Sequence, residues 1–248
     1  MSGKQPASYM GRLLDVLDAT ITAAEPPTVT EIAEAAATPM STTSRLVGLL
    51  TEKGFLIQAH GRYSAGPRLT HVALRVLDQI HDTDRLVAAT RELSASSGES
   101  VSAGVLVGDS IVLVARTESP QSLRAVARVG DIIDPHTSAL GKAILSRLPY
   151  DRGVQLVRAG TGGAAEHVLA ELADELVTAR ETGYALDEET YTVGLRCRAA
   201  AIRGHDGQAV GGISIAGPSA RFTPDAAAAV VPALLETVDR LSVHPRSS

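Results

Sequence analysis

The sequence predicts an α+β chain: a helical head, then a larger part built on an antiparallel sheet. Three observations predict it. Residues 28–54 hold two helix-period segments separated by Thr38-Pro39. From Val101 the apolar period falls to two, the signature of strands with one buried face. Strand pairs joined by short turns then alternate with amphipathic helical segments, which fits helices laid on an antiparallel sheet better than a parallel βαβ series.

Taken in order, residues 1–8 read as a polar arm. Arg12 to Ile21 reads as a helix with Leu13, Leu14, Leu17 and Ile21 on one side, and Pro26-Pro27 ends it. Thr28 precedes Glu31 by three, the capping-box spacing in which the two side chains satisfy free amides at a helix start. Ile32, Ala33 and Ala36 then share a face. Thr38-Pro39 stops that helix, because a residue before proline is pushed out of the helical region. A second helix runs from near Ser41, with Leu46, Leu49, Leu50 and Lys53 at helical spacing and Gly54 as C-cap.

The opposite face of this second helix carries Ser41, Thr42, Ser44 and Arg45. Short hydroxyls and a guanidinium at a helix N-terminus suit phosphate oxygens and base edges in a major groove. The same residues also read as a solvated, serine-rich cap. Phe55-Leu56-Ile57, the turn Ala59-His60-Gly61 and Arg62-Tyr63-Ser64 then form a small hairpin. A hairpin directly after such a helix is the wing of a winged helix-turn-helix. Arg62 and Arg68 are placed to follow a phosphate backbone, or are plain surface arginines. Charge distribution supports the first alternative. The chain carries −5 overall, yet Ser41 to Arg75 holds Arg45, Lys53, Arg62, Arg68 and Arg75 against Glu52 alone. So modest a patch implies that one copy binds double-stranded DNA weakly and that dimers are needed.

Arg68 to Ile80 is helical, with Leu69, Val72, Ala73, Val76 and Ile80 in phase, and Asp84 to Ala95 is helical again. Val101–Val107 and Ile111–Ala115 form a hairpin about Gly108-Asp109-Ser110. Leu123 to Val129 alternates as a strand with Arg124 and Arg128 outward. Ser138 to Arg147 is a helix, Ala159 to Ala165 a disordered-looking stretch, and Glu166 to Thr182 a helix capped by Gly183. Cys197–Ile202 and Ala209–Ala216 form a second hairpin. A symmetric reversal at Asp206-Gly207 sets Cys197 opposite Ala216 and Ala199 opposite Ser214, so Leu195, Cys197, Ser214 and Ala216 share one face. A last helix starts at Thr223-Pro224, and Pro232 should kink it.

Three pieces of the second part could converge on a small ligand. The helix start at Thr137 to Gly141 offers amides to an anion, or is simply capped by Thr137 or Ser138. Asp187 is a pocket-edge acceptor, or part of a solvated acidic turn with Glu188 and Glu189. The Cys197 hairpin is a pocket wall, or holds an ordinary buried thiol.

Composition narrows the classes. A single cysteine excludes an internal disulfide and fits a reducing compartment. Met1 to Gly11 lacks the apolar core of a signal peptide, and the longest apolar run, Ala226 to Leu235, is too short to span a bilayer. We therefore expect a soluble, cytoplasmic protein with no membrane partner. No metal-ligand cluster and no hydrolase motif is visible, so no metal, cofactor or catalytic residue is assigned.

The string PMSTTSRLVGLLTEKGFL followed by GRYSAGPRL resembles the DNA-binding half of isocitrate lyase regulator (IclR) type bacterial transcription factors, and the likeness covers nearly the whole chain. It implies a winged helix-turn-helix over 1–66, a linker helix over 67–82, an effector-binding and oligomerisation domain over 83–243 with a GAF/profilin-like antiparallel sheet, and a tail at 244–248. It implies a repressor-type regulator acting as a homodimer or dimer of dimers, whose small-molecule effector is a carboxylate or aromatic acid. Carried over by position, it marks Ala139, Leu140, Asp187, Leu195, Cys197, Ser214 and Ala216 as effector-binding. Ala216 stands where the family often has a second serine, which favours a less polar effector. Thr190 and Arg198 also depart from the usual acidic and aliphatic residues. Two other readings stay open: an enzyme using Cys197 with His136, His167 or His205 as base, and a sensor module whose winged helix contacts protein.

Overall fold

The computed structural model describes residues 8–79, 83–161 and 164–243. It divides into two compact units, residues 1–81 and 82–248. The first unit therefore includes the helix that the sequence reading set apart as a linker.

In the first unit, α1 (Tyr9–Ile21), α2 (Val29–Ala35) and α3 (Met40–Glu52) pack together, followed by the hairpin β1 (Leu56–Ala59) and β2 (Arg62–Ala65) and by α4 (Pro67–Gln79). The capping box forms: Thr28 N donates to Glu31 Oε2 at 2.6 Å, and Glu31 N donates to Thr28 Oγ1 at 3.3 Å. The core is Val16, Ile32, Leu46, Val47, Leu50 and Leu56. Burying side chains of this size gives about 1.5–3 kcal/mol each. The inward face of α1 is centred on Val16, while Leu14 and Ile21 are exposed. Leu13-Leu14 are adjacent, so only one of them can follow the buried stripe, and it is Leu13. On α4, Val72 and Val76 are exposed; Ile80 and the rest of the proposed linker to residue 82 lie outside the described residues, as does the 244–248 tail.

In the second unit, α5 (Thr83–Ser97) leads into β3 (Ser100–Val107), β4 (Ser110–Thr117) and the short β5 (Ile132–Ile133). Then come α6 (Ala139–Leu145), α7 (Tyr150–Thr161), α8 (Ala165–Glu171), α9 (Ala173–Thr182), β6 (Ala185–Glu188), β7 (Leu195–Arg203), β8 (Ala209–Pro218), α10 (Pro224–Ala229) and α11 (Val231–Leu241). The six strands form one antiparallel sheet in the order β5-β4-β3-β8-β7-β6. The β7–β8 register sets Cys197 opposite Ala216 and Ala199 opposite Ser214, as the turn predicts.

Helices α5 and α11 cover one face, over buried Val101, Ala103, Ile213 and Ile215. Thr117 on that face donates to Thr90 of α5 at 3.0 Å. Helix α6 covers the other face and contacts β6, β7, β8 and α9. It is tied to α9 by Lys142, whose buried ammonium lies 2.7 Å from Glu175. Leu140 of α6 fits between two strand glycines: a Cβ on Gly104 would come 3.0 Å from Leu140 Cδ2, and one on Gly212 2.9 Å from Cδ1.

Several expectations change. Leu123–Val129 is not a strand; Leu123, Val126 and Val129 are exposed, and pairing with β4 begins only near Gly130. Residues 159–161 continue α7 rather than a disordered stretch. The helix expected over Glu166–Thr182 is two helices broken at Leu172, with Gly183 the expected left-handed C-cap. The Pro232 kink appears as the break at Val230 between α10 and α11.

Packing at α6 gives a paired stability test. Gly104→Ala should cost about 1–3 kcal/mol by overpacking. Gly48→Ala, at an exposed mid-α3 site where a Cβ meets nothing within 4 Å, should gain up to about 1 kcal/mol. Urea unfolding midpoints check both.

Candidate functional site

Two regions bring predicted site residues together, one in each unit. In the first, α3 has two distinct faces. Thr43, Leu46, Val47 and Leu50 turn inward, and the Thr43 hydroxyl donates back to Thr38 and Pro39 carbonyls. Ser41, Ser44 and Arg45 are exposed and Thr42 is half-buried. The Arg45 guanidinium lies 4.9 Å from the centre of the Tyr9 ring, a cation–π contact that limits its rotamers. Tyr9, itself exposed, was missed because it is distant in sequence and lies ahead of the expected start of α1.

The two wing-region arginines differ from the reading of free backbone clamps. Arg62 Nη1 donates to the Pro26 carbonyl at 2.7 Å and lies 3.4 Å from Glu31, so this side chain first holds the wing to the start of α2. The backbone reinforces that seat, with Tyr63 N donating to Pro27 O at 2.9 Å. The Arg68 guanidinium lies 5.0 Å from the Phe55 ring centre and is exposed.

In the second unit the register aligns two adjacent rungs across one face of the sheet. One rung runs Asp187, Cys197, Ala216, Ser100; the next runs Ala185, Ala199, Ser214, Ser102, Arg116. Thus Asp187, Cys197, Ser214 and Ala216 do share a face, the α6 side, and Leu195 lies two residues from Cys197 on the same face. Ala139 and Leu140 of α6 lie over this sheet and are buried.

Asp187 is not part of a solvated turn. It is 1 % exposed; its Oδ1 accepts from Thr190 N at 2.8 Å and Tyr191 N at 3.2 Å. Its Oδ2 is buried without a hydrogen-bond partner among the described residues. The Tyr191 phenol has its pKa raised by burial and by the charges of Asp134, Asp131, Cys197 and Asp187. Burial, then the Asp187 charge, pushes the Cys197 thiol from 9.0 up to about 12. At neutral pH it is a protonated, poorly nucleophilic group. His167 pairs with Glu171 on an exposed helix and His205 sits on an exposed turn. His136 Nδ1 lies 2.8 Å from Asp134 Oδ1 without hydrogen-bonding angles.

The start of α6 is capped from within. Asp134 Oδ1 accepts from His136 N and Thr137 N, and Ser138 Oγ accepts from Gly141 N. Leu140 is a packing residue rather than an opening to backbone. On the far face of the sheet, burial alone would raise the Glu188 pKa, but Arg196 and Arg198 together hold it below the usual value. Arg198, at 6 % exposure and 2.7 Å from Glu188, is a buried ion-pair partner.

Two clefts lie nearby. One of about 380 Å³ is lined mainly by Leu145, Leu148, Tyr150, Leu169, Leu176 and Val177, and holds none of the expected effector residues. Another of about 320 Å³ borders β5 and the Asp134-Pro135 approach to α6. Among the described residues no cluster of metal-ligating side chains occurs. No helix among them is long and apolar enough to cross a membrane.

Comparison with known proteins matches residues 11–60 to the IclR helix-turn-helix domain and residues 73–243 to the bacterial transcriptional regulator IclR C-terminal domain. The regulator BhcR of Paracoccus denitrificans is 30 % identical, covering 94 % of this chain and 85 % of that protein. The repressor AllR of Escherichia coli is 33 % identical, covering 75 % of this chain and 71 % of that protein. The crystal structure of an IclR homologue from Microbacterium hydrocarbonoxydans, complexed with 4-hydroxybenzoate, superposes with a TM-score of 0.77 at 21 % identity, covering 95 % and 98 % of the two chains.

The shielded thiol makes two measurable claims. Iodoacetamide at pH 7.5 should label native protein roughly 10²–10³ times more slowly than the urea-unfolded chain; equal rates would refute the assignment. Above about pH 9 the unfolded thiol loses its proton while the native one keeps it, so stability falls as pH rises, and Cys197→Ala should flatten that slope.

Proposed function

This chain belongs to the IclR family of bacterial transcriptional regulators, and on that premise we propose how its two units act. It is a DNA-binding regulator. Ser41, Thr42, Ser44 and Arg45 enter the major groove of an operator, with Arg45 steadied by Tyr9. Arg68 meets the phosphate backbone, and Arg62 contributes mainly by fixing the wing. The observation that carries this reading is the division of α3: one side builds the core, and the other presents Ser41, Ser44 and Arg45 to solvent.

The second unit binds a small carboxylate or aromatic acid on the α6 face of the sheet, around Asp187, Cys197 and Ser214. The relative solved with 4-hydroxybenzoate supports that class of effector. The exposed apolar stripe of α4, including Val72 and Val76, supports assembly into a homodimer or dimer of dimers. An effector with different affinity for two arrangements of the oligomer shifts the population between them, and with it the fit of paired α3 helices to operator half-sites. The segment 67–82 joins a DNA-reading part, 1–66, to the effector part, 83–243. The protein works in the cytoplasm, where the operator is.

Gel-shift titration with promoter DNA from beside the gene tests the groove assignment. Arg45→Ala should weaken specific binding by about 1–3 kcal/mol, roughly 5- to 150-fold, with the oligomer unchanged in sedimentation. Unaltered retention by an Arg45→Ala, Ser44→Ala double variant would show that α3 reads nothing.

A further inference from the structure

We infer that Arg116 is the anion anchor of the effector site, receiving the effector's carboxylate together with the hydroxyls of Ser102 and Ser214. This rests on the effector reading above and adds to it a residue that neither motif nor resemblance marked.

Register places the three side chains side by side. Ser102 pairs with Ser214 on one flank and with Arg116 on the other, so all three project from the same face. That face is the one α6 covers, because Gly104 and Gly212, two residues along β3 and β8, lie beneath Leu140. Arg116 Nη1 donates to Ser102 Oγ at 2.6 Å, and Nη2 donates to the carbonyl of Ala125. Nε is buried without a partner among the described residues. A guanidinium has five N–H donors in a planar fork, so these two bonds leave the fork largely unspent.

The charge also lacks a direct ion-pair partner among the described residues. Arg196, Arg198, Arg203, Arg221 and Arg240 of this unit each have a carboxylate within salt-bridge distance. Arg116, half-buried, makes no ion pair among the described residues; burial lowers its pKa, and the carboxylates of Glu118 and Asp131, not in contact with it, offset that only in part. A desolvated cation without a carboxylate in direct contact is costly, and an entering carboxylate reduces that cost with bidentate geometry.

The distance to the other polar end defines the ligand. The Arg116 guanidinium reaches Ser102, and Asp187 lies three strands and two residues from Ser102, about 16 Å between backbones at 4.8 Å per strand and 3.4 Å per residue, less the reach of the Asp187 side chain. One aromatic ring with hydrogen bonds at both ends spans that gap. The buried Asp187 carboxylate, which also hydrogen-bonds the Cys197 thiol, is an acceptor, so the far end of the ligand carries a hydroxyl rather than a second acid. The fitting class is a monocarboxylate with a hydroxyl opposite the acid.

Calorimetry on the full-length protein tests this with 4-hydroxybenzoate, benzoate and 4-hydroxybenzamide as probes. Wild type should bind 4-hydroxybenzoate roughly tenfold or more tighter than the amide, and tighter than benzoate. Arg116→Gln should erase the acid-over-amide preference while leaving amide binding unchanged, and Arg116→Lys should restore part of it. Arg116 also holds Ala125, so Ser214→Ala serves as the variant that spares the fold; it should weaken the acid more than the amide. An unchanged acid-over-amide ratio in Arg116→Gln or Ser214→Ala, at unchanged melting temperature, overturns the anchor. Wild type that retards operator DNA but binds none of the three probes also overturns it and leaves the regulator reading standing. Failure to retard operator DNA counts against that reading instead.

Discussion

The second unit depends on how closely α6 can approach the sheet. Leu140 enters a notch that exists only because positions 104 and 212 have no side chain. Everything proposed for the effector face follows from that approach. The same strands that supply the glycines supply, one step along, Ser102 and Ser214, and one step further Ser100 and Ala216. Beyond the notch the face is therefore lined by small residues. Scarce aromatics fit this plan: with no Trp and two Phe, the chain builds its interior from Ala, Val, Leu and Ile.

Charge is divided between the two faces of the sheet in a way that alternation enforces. Along β6 and β7, Asp187 and Cys197 point one way while Glu188, Arg196 and Arg198 point the other. The far face closes its charges into ion pairs. The near face leaves an aspartate oxygen and an arginine nitrogen without hydrogen-bond partners among the described residues. Burying polar groups in that state costs stability. A structure tolerates it where a partner restores the balance, which is the argument for the proposed near-face site over the apolar cleft beside α7 and α8.

Much of this was legible in the sequence where local chemistry decides structure. The capping box at Thr28, the Gly183 cap and the turn at Asp206-Gly207 each act over a few residues, and the last fixed the β7–β8 register and therefore the shared face of Cys197 and Ser214. Legibility failed where a partner decides. Leu123, Ala125, Ala127 and Val129 alternate like a strand, but alternation cannot say whether a sheet edge is available. In the fold only residues near 130–133 reach β4, and the preceding stretch is held by contacts such as Arg116 to Ala125. Leu172 interrupts a helix with neither Gly nor Pro to announce it. Arg116 and Ser102 escaped notice because the reading of β3 followed Val101, Ala103 and Val105, the face that packs on α5, and ignored the Ser100, Ser102, Gly104 series between them.

That alternate series bears on how the two units communicate. The strand β3 that presents Ser102 to the ligand follows α5, separated from it only by Gly98 and Glu99. Ser94 of α5 donates to the Glu99 carbonyl at 2.8 Å, and Ser119 donates through its hydroxyl to the Gly98 carbonyl at 2.7 Å. A ligand bound as proposed at Arg116 and Ser102 would act on a strand hydrogen-bonded to the corner that follows α5. α5 is also the helix through which the chain enters this unit from the DNA-binding one. A differential affinity of a few kcal/mol for two positions of that strand is enough to shift a two-state equilibrium by several hundredfold. On the proposed anchor, the strand that would meet the anion and the helix that receives the chain are neighbours in sequence and share a hydrogen-bonded corner.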